Sequence, residues 1–226
     1  RLNQVHLTVA SAGYDVYGAT LLGVPLPLIG FNDKLAWTHT FSTDNRFTLR
    51  VLTLDPADPK RYLKDGVSKP LTAVPITIKA KQADGTLHDL SRTLYLSAFG
   101  PMLMDSRFQW TNASAFAIQD ANYGNYKLID QVLLNGKASD VNALREAAAT
   151  YTAMPWVNTM AADKAGNVLY GNFSVAANVA DAQLAGCVPG APYPFQDLMN
   201  SIGLVVMTGS TAACDWSGSV VAAQRP

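Results

Sequence analysis

The chain has no run of basic residues: 17 Lys+Arg and 17 Asp+Glu cancel to a formal net charge of zero. The phosphate attraction that dominates nucleic-acid binding is missing, so no nucleic-acid partner is expected. No apolar stretch reaches the roughly 20 residues of a membrane-spanning helix, because Pro, Gly or polar residues interrupt the longest ones. No membrane partner is expected. His6, His39 and His88 stand apart in sequence, and neither Cys-x-x-Cys nor His-Glu-x-x-His occurs. A zinc site is therefore not expected. A Gly-x-Gly-x-x-Gly loop, a P-loop and a Gly-x-Ser-x-Gly elbow are also absent, which removes the usual phosphate cradles and the α/β-hydrolase nucleophile. No charged-then-apolar leader opens the chain.

Cysteine is scarce. Cys187 and Cys214 are the only two, in a region rich in Gly, Pro and Ala. Two free thiols would suit a cytosolic protein. A disulfide would staple a region poor in regular structure and contribute roughly 3 kcal/mol through loop entropy. The disulfide is the favoured reading, and it implies an oxidising compartment such as a periplasm.

What is present is an ordinary globular composition, 49% apolar and 15% charged over 226 residues, ample for a buried core. The most informative stretch is GVPLPLIGFNDKLAWTHT, residues 23–40. It reads as a Pro-punctuated loop, then Ile29-Gly30-Phe31, a turn at Asn32-Asp33, and a strand over Leu35–Thr40 that runs into Phe41-Ser42-Thr43. A strand ending in small polar residues presents backbone N–H groups at its tip, one way to build an oxyanion site.

Residues 1–100 read as mostly β. Gln4–Val9 and Phe47–Val51 are strand-like, and Val74, Ile76, Ile78 and Ala80 alternate as in a half-buried strand that turns back at Asp84-Gly85 towards Leu94 and Leu96. Residues 55–66 read as a turn-rich excursion. Ala115–Gln119 is a further strand, Tyr126–Leu134 and Ser139–Tyr151 are helical, and Ser139 is a candidate N-cap. Trp156–Ala162 and Asn167–Tyr170 form a hairpin around Lys164-Ala165-Gly166, and the chain from Asn178 onward reads as loop. The order β, helical pair, β predicts layers of one α+β domain over 1–226.

Residue types that carry chemistry give weak signals. His39 sits mid-strand between two threonines and reads as a structural histidine bonded to backbone. Asp55, Asp58 and Asp65 lie among prolines and lysines, as on a solvated loop face. Trp156 reads first as core packing and second as the wall of an apolar pocket. Leu21, Val24 and Ile29 belong to an apolar loop of the kind that lines a cavity or an interface.

The run HLTVASAGYDVYGATLLGVPLPLIGFNDKLAWTHTFSTD (6–44) resembles the early β-subunit of penicillin-acylase-family enzymes, most of all the acyl-homoserine-lactone acylase branch. PWVNTMAADKAGNVLYGNFS (155–174) does the same. DPADPKRYLKDG (55–66), FGPML (99–103) and DANYGN (120–125) keep the family order between them, and Cys187 and Cys214 match a cysteine pair of that branch.

The resemblance implies an N-terminal nucleophile amidohydrolase with a four-layer αββα sandwich, made as a precursor, exported to the periplasm or secreted, and cut into α and β chains. The N-terminal serine of β attacks the amide carbonyl and its own α-amine serves as base, a sound arrangement because that amine titrates near 8. Carried onto this chain, the backbone oxyanion donor falls on Phe41 and the acyl pocket on Leu21, Val24, Ile29, Trp156 and Val157. Arg1 is no nucleophile, so the serine would lie upstream of it and a catalytic asparagine downstream of Pro226. The expectation is therefore an internal, incomplete piece of a β-subunit whose partners are the α-subunit and the remaining β segments.

The expected substrate is an N-acyl homoserine lactone or a β-lactam such as a penicillin with an apolar acyl group, giving quorum quenching or antibiotic deacylation. No cofactor is expected. Where penicillin acylases proper bind calcium, this chain has Asp44-Asn45-Arg46-Phe47-Thr48, and the charge of Arg46 argues against a cation. The rival reading is a non-catalytic periplasmic β-rich binding module.

Overall fold

The computed structural model describes residues 2–189 and 204–221. Arg1, Arg225 and Pro226, on which the reading of the chain ends falls, lie outside the described residues. In chain order the elements are β1 (Leu2–Val9), β2 (Tyr14–Leu21), β3 (Ile29–Phe31), β4 (Leu35–Phe41), β5 (Phe47–Asp55), β6 (Asp58–Lys64), β7 (Val67–Pro70), β8 (Thr72–Lys81), β9 (Leu87–Ser97), β10 (Gly100–Leu103) and β11 (Ser114–Asp120). Then come α1 (Leu128–Lys137), α2 (Val141–Tyr151), β12 (Val157–Asp163), β13 (Val168–Asn172), β14 (Val175–Ala177), α3 (Asp181–Gly186), β15 (Val205–Thr208) and β16 (Ser219–Val221). The fold class is α+β. Two compact units share the chain: Arg1–Arg46, Ala121–Asn178 and Gly218–Pro226 form the first, Phe47–Asp120 and Val179–Ser217 the second.

The first unit holds an antiparallel sheet in the order β1-β2-β3-β4-β12-β13. Alternation along each strand sorts its side chains onto two faces. Tyr14, Val16, Leu35, Trp37 and Ala161 share one face and pack with Ala138, Val141 and Leu144 of the helical pair. Close approach sets this layer: a Cβ on Gly136 of α1 would come within 2.4 Å of the Tyr14 ring. Asn32, in the β3–β4 turn, completes the joint. Its Nδ2 donates to the carbonyls of Gly136 and Ala138 at 3.1 and 2.9 Å, while its Oδ1 accepts from the amides of Lys34 and Leu35. One side chain thus closes the turn and satisfies carbonyls at the end of α1 that have no helical partner. The opposite face carries exposed Leu2, Tyr17, Phe31, Met160 and Tyr170.

The second unit has a sheet in the order β7-β6-β5-β11-β10-β9-β8, with β15 running parallel to β5. Leu52, Leu54, Tyr62, Leu71, Met102, Ala115 and Ala117 form its largest buried cluster. Arg50, from β5, is fully buried there. Its Nε donates to Gln119 Oε1 at 2.7 Å, its Nη1 to the carbonyls of Cys214 at 2.7 Å and Thr208 at 3.2 Å, and its guanidinium lies 5.0 Å from the Phe99 ring and 5.5 Å from the Trp216 ring. Burial lowers its pKa to about 10, against the pull of Asp215, so it stays cationic at neutral pH. Cys187 and Cys214 are joined in a disulfide, with no free cysteine left.

Several sequence expectations are corrected. Ser139 does not cap α2: Asp140 does, accepting from the Ala143 amide at 2.9 Å, while Ser139 Oγ donates to the Asp140 carboxylate. A carboxylate is a strong N-cap acceptor, and Asp140 has the extended backbone a cap needs. The first helix begins at Leu128 and reaches Lys137. Residues 55–66 are not a loose excursion; β5 and β6 pair Leu54 with Tyr62, and Tyr62 is buried. The 72–97 hairpin forms with Val74 opposite Leu94, yet Ile76, Ile78, Leu90 and Leu94 are exposed rather than half-buried. Beyond Asn178 the chain contains α3, β15 and β16.

Candidate functional site

β2, β3, β4 and β12 run alternately up and down, so the end of β2, the start of β3, the end of β4 and the start of β12 meet at one end of the first unit's sheet. All six residues singled out from the sequence lie at that end. The register divides them. Phe41 is paired with Val157, and the Phe41 ring stacks on Trp156 with centroids 6.3 Å apart and planes 11° from parallel. Leu21 and Ile29 stand on the opposite face, in line with Tyr17, Ala19 and Phe31. Val24 sits in the loop between them, its amide bonded to the Leu21 carbonyl and its own carbonyl accepting from Thr20 Oγ1 at 2.9 Å. Ile29 also lines an apolar groove of about 470 Å³ together with Tyr17, Phe31 and Thr38.

The direction of the Phe41 amide follows from the ladder. Ser42 N–H donates to the Trp156 carbonyl at 2.8 Å, just beyond the Phe41–Val157 pair. Bonded and non-bonded pairs alternate in an antiparallel ladder, so Phe41 and Val157 form a non-bonded pair. The Phe41 N–H is therefore directed away from β12, to the β3 side of β4, past the last β3–β4 pair at Gly30 and Trp37. The Phe41 residue itself is 80% exposed, and its carbonyl accepts from Asn158 Nδ2 at 3.0 Å.

Polar side chains hold this tip from behind. Ser42 Oγ donates to Asp44 Oδ2 at 2.8 Å and lies 2.6 Å from the buried Ser174 Oγ. Ser174 Oγ also donates to the Val157 carbonyl at 3.3 Å. The segment entering Trp156 is fixed by Asn125, whose Nδ2 donates to the carbonyls of Tyr151 and Thr152 at 3.1 and 2.8 Å, and by buried Gln131, whose Oε1 accepts from the Ala153 amide at 2.9 Å. Neither residue was singled out from the sequence. The one signal was the DANYGN stretch, which contains Asn125.

His39 faces Thr159 across the β4–β12 pair, with 3.0 Å between Nδ1 and Oγ1. The register sets that hydroxyl directly opposite, and the ring also takes the expected backbone hydrogen bond, with Leu28. Burial pushes its pKa down to about 4, so the ring is neutral at pH 7. No group of three or more His, Cys, Asp or Glu able to hold a metal exists among the described residues. Asp55 accepts from Ser68 Oγ and from the Ala57 amide, while Asp65 accepts from the amide of Ala212, 147 positions along the chain. No helix among the described residues is long and apolar enough to cross a membrane.

The sequence profile of penicillin amidase matches residues 1–226. The chain belongs to this family. Among relatives of this penicillin amidase-family chain, the acyl-homoserine lactone acylase PvdQ of Pseudomonas fluorescens (strain Pf0-1) is 40% identical over 226 residues, covering 100% of this chain and 28% of that protein. Aculeacin-A acylase of Actinoplanes utahensis is 40% identical over 215 residues, covering 95% of this chain and 26% of that protein. The thermostable penicillin G acylase of Alcaligenes faecalis has a similar fold, with a TM-score of 0.73 at 22% identity, covering 100% of this chain and 36% of that one. The chain thus spans little more than a quarter of the curated relatives it matches.

Proposed function

We propose that this chain is part of an N-terminal nucleophile amidohydrolase that cleaves N-acyl substrates with an apolar acyl group, N-acyl homoserine lactones foremost and β-lactams such as penicillins as a further class. The Phe41 N–H serves as a backbone oxyanion donor. Trp156 and Val157, with Leu21, Val24 and Ile29 at the same end of the sheet, contribute to the acyl pocket. The nucleophile comes from outside the chain, from the rest of the same precursor, and the bare apolar face of the first unit's sheet supports such a partner. The Cys187–Cys214 disulfide supports a periplasmic or secreted setting.

One observation carries the reading: the Phe41 amide is directed away from the ladder at a strand tip where its own ring and Trp156 form an apolar surface. A preorganised N–H at such a place stabilises charge that develops on the carbonyl oxygen in the transition state. The relatives' names, acyl-homoserine lactone acylase and aculeacin-A acylase, support amide deacylation as the reaction.

The test is Phe41→Pro in the full-length polypeptide, which removes the N–H outright. Turnover of an N-acyl homoserine lactone should fall by about 100-fold or more with KM little changed. Normal turnover in a folded variant would overturn the assignment of Phe41. N-terminal sequencing of the purified assembly should show a companion chain that begins with Ser, Thr or Cys; a single chain that binds acyl amides without cleaving them would favour a binding module.

A further inference from the structure

Trp156 has φ of 45°. A bulky side chain in the left-handed region is strained, and such a residue persists only where its surroundings over-determine it. Three of the contacts around this one come from residues 41–46. The Trp156 carbonyl accepts from Ser42 N–H at 2.8 Å. The Phe41 ring stacks alongside the indole. The guanidinium carbon of Arg46 lies 4.3 Å from the centroid of the indole ring.

The first two contacts come from Phe41, the last residue of β4, and from Ser42 just beyond it. The third comes from the short turn that follows it. Ser42 Oγ donates to the Asp44 carboxylate and Arg46 N–H donates to the Asp44 carbonyl, so residues 42–46 fold back from the strand end and deliver the Arg46 side chain onto Trp156. A planar, weakly hydrated guanidinium suits this stacking better than an ammonium does.

We propose that Arg46 is a positioning residue: laid on the indole, its guanidinium holds Trp156 in the left-handed conformation and thereby sets both the apolar wall beside Phe41 and the pairing of Ser42 with Trp156 at the β4 tip. The inference rests on the reading of that tip as part of the substrate site. Arg46 does not touch the reacting atoms. It acts through Trp156, and its removal changes which acyl groups fit more than how fast a bound substrate reacts.

The test uses the full-length polypeptide with Arg46→Met and Arg46→Lys, each made with and without Trp156→Phe. The difference spectrum within each pair isolates the fluorescence of Trp156 from that of every other tryptophan. Arg46→Met should change the Trp156 emission, and across a series of N-acyl homoserine lactones of increasing acyl length it should shift the preferred length and raise KM by about fivefold or more with a smaller change in kcat. Arg46→Lys, which keeps a cation, should restore part of both. Unchanged Trp156 emission and an unchanged acyl-length profile in Arg46→Met would overturn the proposal. Should Arg46→Met fail to fold, Arg46→Gln is the second neutral variant and is read in the same way. If the wild type cleaves no acyl amide, the proposed function fails by itself, and the emission difference alone still decides the role of Arg46.

Discussion

Gly18 of β2 and Gly30 of β3 lie opposite each other, and a Cβ built on either would come 2.9 Å from the Cα of the other. A Cβ on Gly18 would also reach within 2.1 Å of the Ile29 carbonyl oxygen, a backbone atom that cannot swing aside. Gly18→Ala should therefore destabilise the protein by about 3 kcal/mol or more. Denaturant unfolding of the purified protein checks this; wild-type stability would mean that β2 and β3 do not meet in this register.

His39 gives a pH dependence of definite sign. Its pKa is about 4 in the folded protein and 6.5 when unperturbed, with burial as the main cause. Between those values the unfolded state binds the proton and the folded state does not. The stabilisation is thus fully present above pH 6.5 and is lost as pH falls towards 4, by about 2–3 kcal/mol. Urea unfolding at about pH 7 and about pH 4.5 should show this loss, and His39→Asn should shrink it.

Arg50 has three acceptors that depend on it: Gln119 Oε1 and the carbonyls of Thr208 and Cys214. Arg50→Met keeps much of the stem but strands all three in a buried setting. A loss of about 3 kcal/mol is expected, read as a lower midpoint in thermal unfolding. The same midpoint as wild type would show that the guanidinium contributes no net stability.

Thr152 ends α2 in the left-handed region, with φ of 45° and ψ of 44°. A β-branched residue is poorly suited to that conformation, where glycine is at ease. The bonds made there by its amide and carbonyl belong to the backbone, so Thr152→Gly keeps them. It should stabilise the protein by about 1 kcal/mol, measured in the same unfolding experiment.

The sequence carried most of the strands and the turn between β12 and β13, since alternation and a Gly at positive φ are local signals. Gly166 has φ of 89° and Gly85 has φ of 87° at the turns where each was expected. Burial was harder to read. Ile76 and Ile78 alternate like a half-buried strand, but alternation records only that one face differs from the other and does not tell what covers it. The location of Phe41, Trp156 and Val157 at one end of the sheet came from family resemblance. Their register, the division of Leu21 and Ile29 onto the other face, and the Asn125 and Gln131 supports depend on which segments pair and in what register, which the alternation within each strand does not encode. Arg46 was read for its charge alone. That its plane would meet an indole 110 positions away is a tertiary fact.

Residue 41 offers its amide in one direction and its ring in another. The amide belongs to every amino acid except proline, while the ring is a property of the side chain. Under the proposed reading of this tip, drift at this codon would reshape what the site admits and leave the hydrogen-bond donor in place, so descendants of one scaffold could part company over diet without reinventing the reaction.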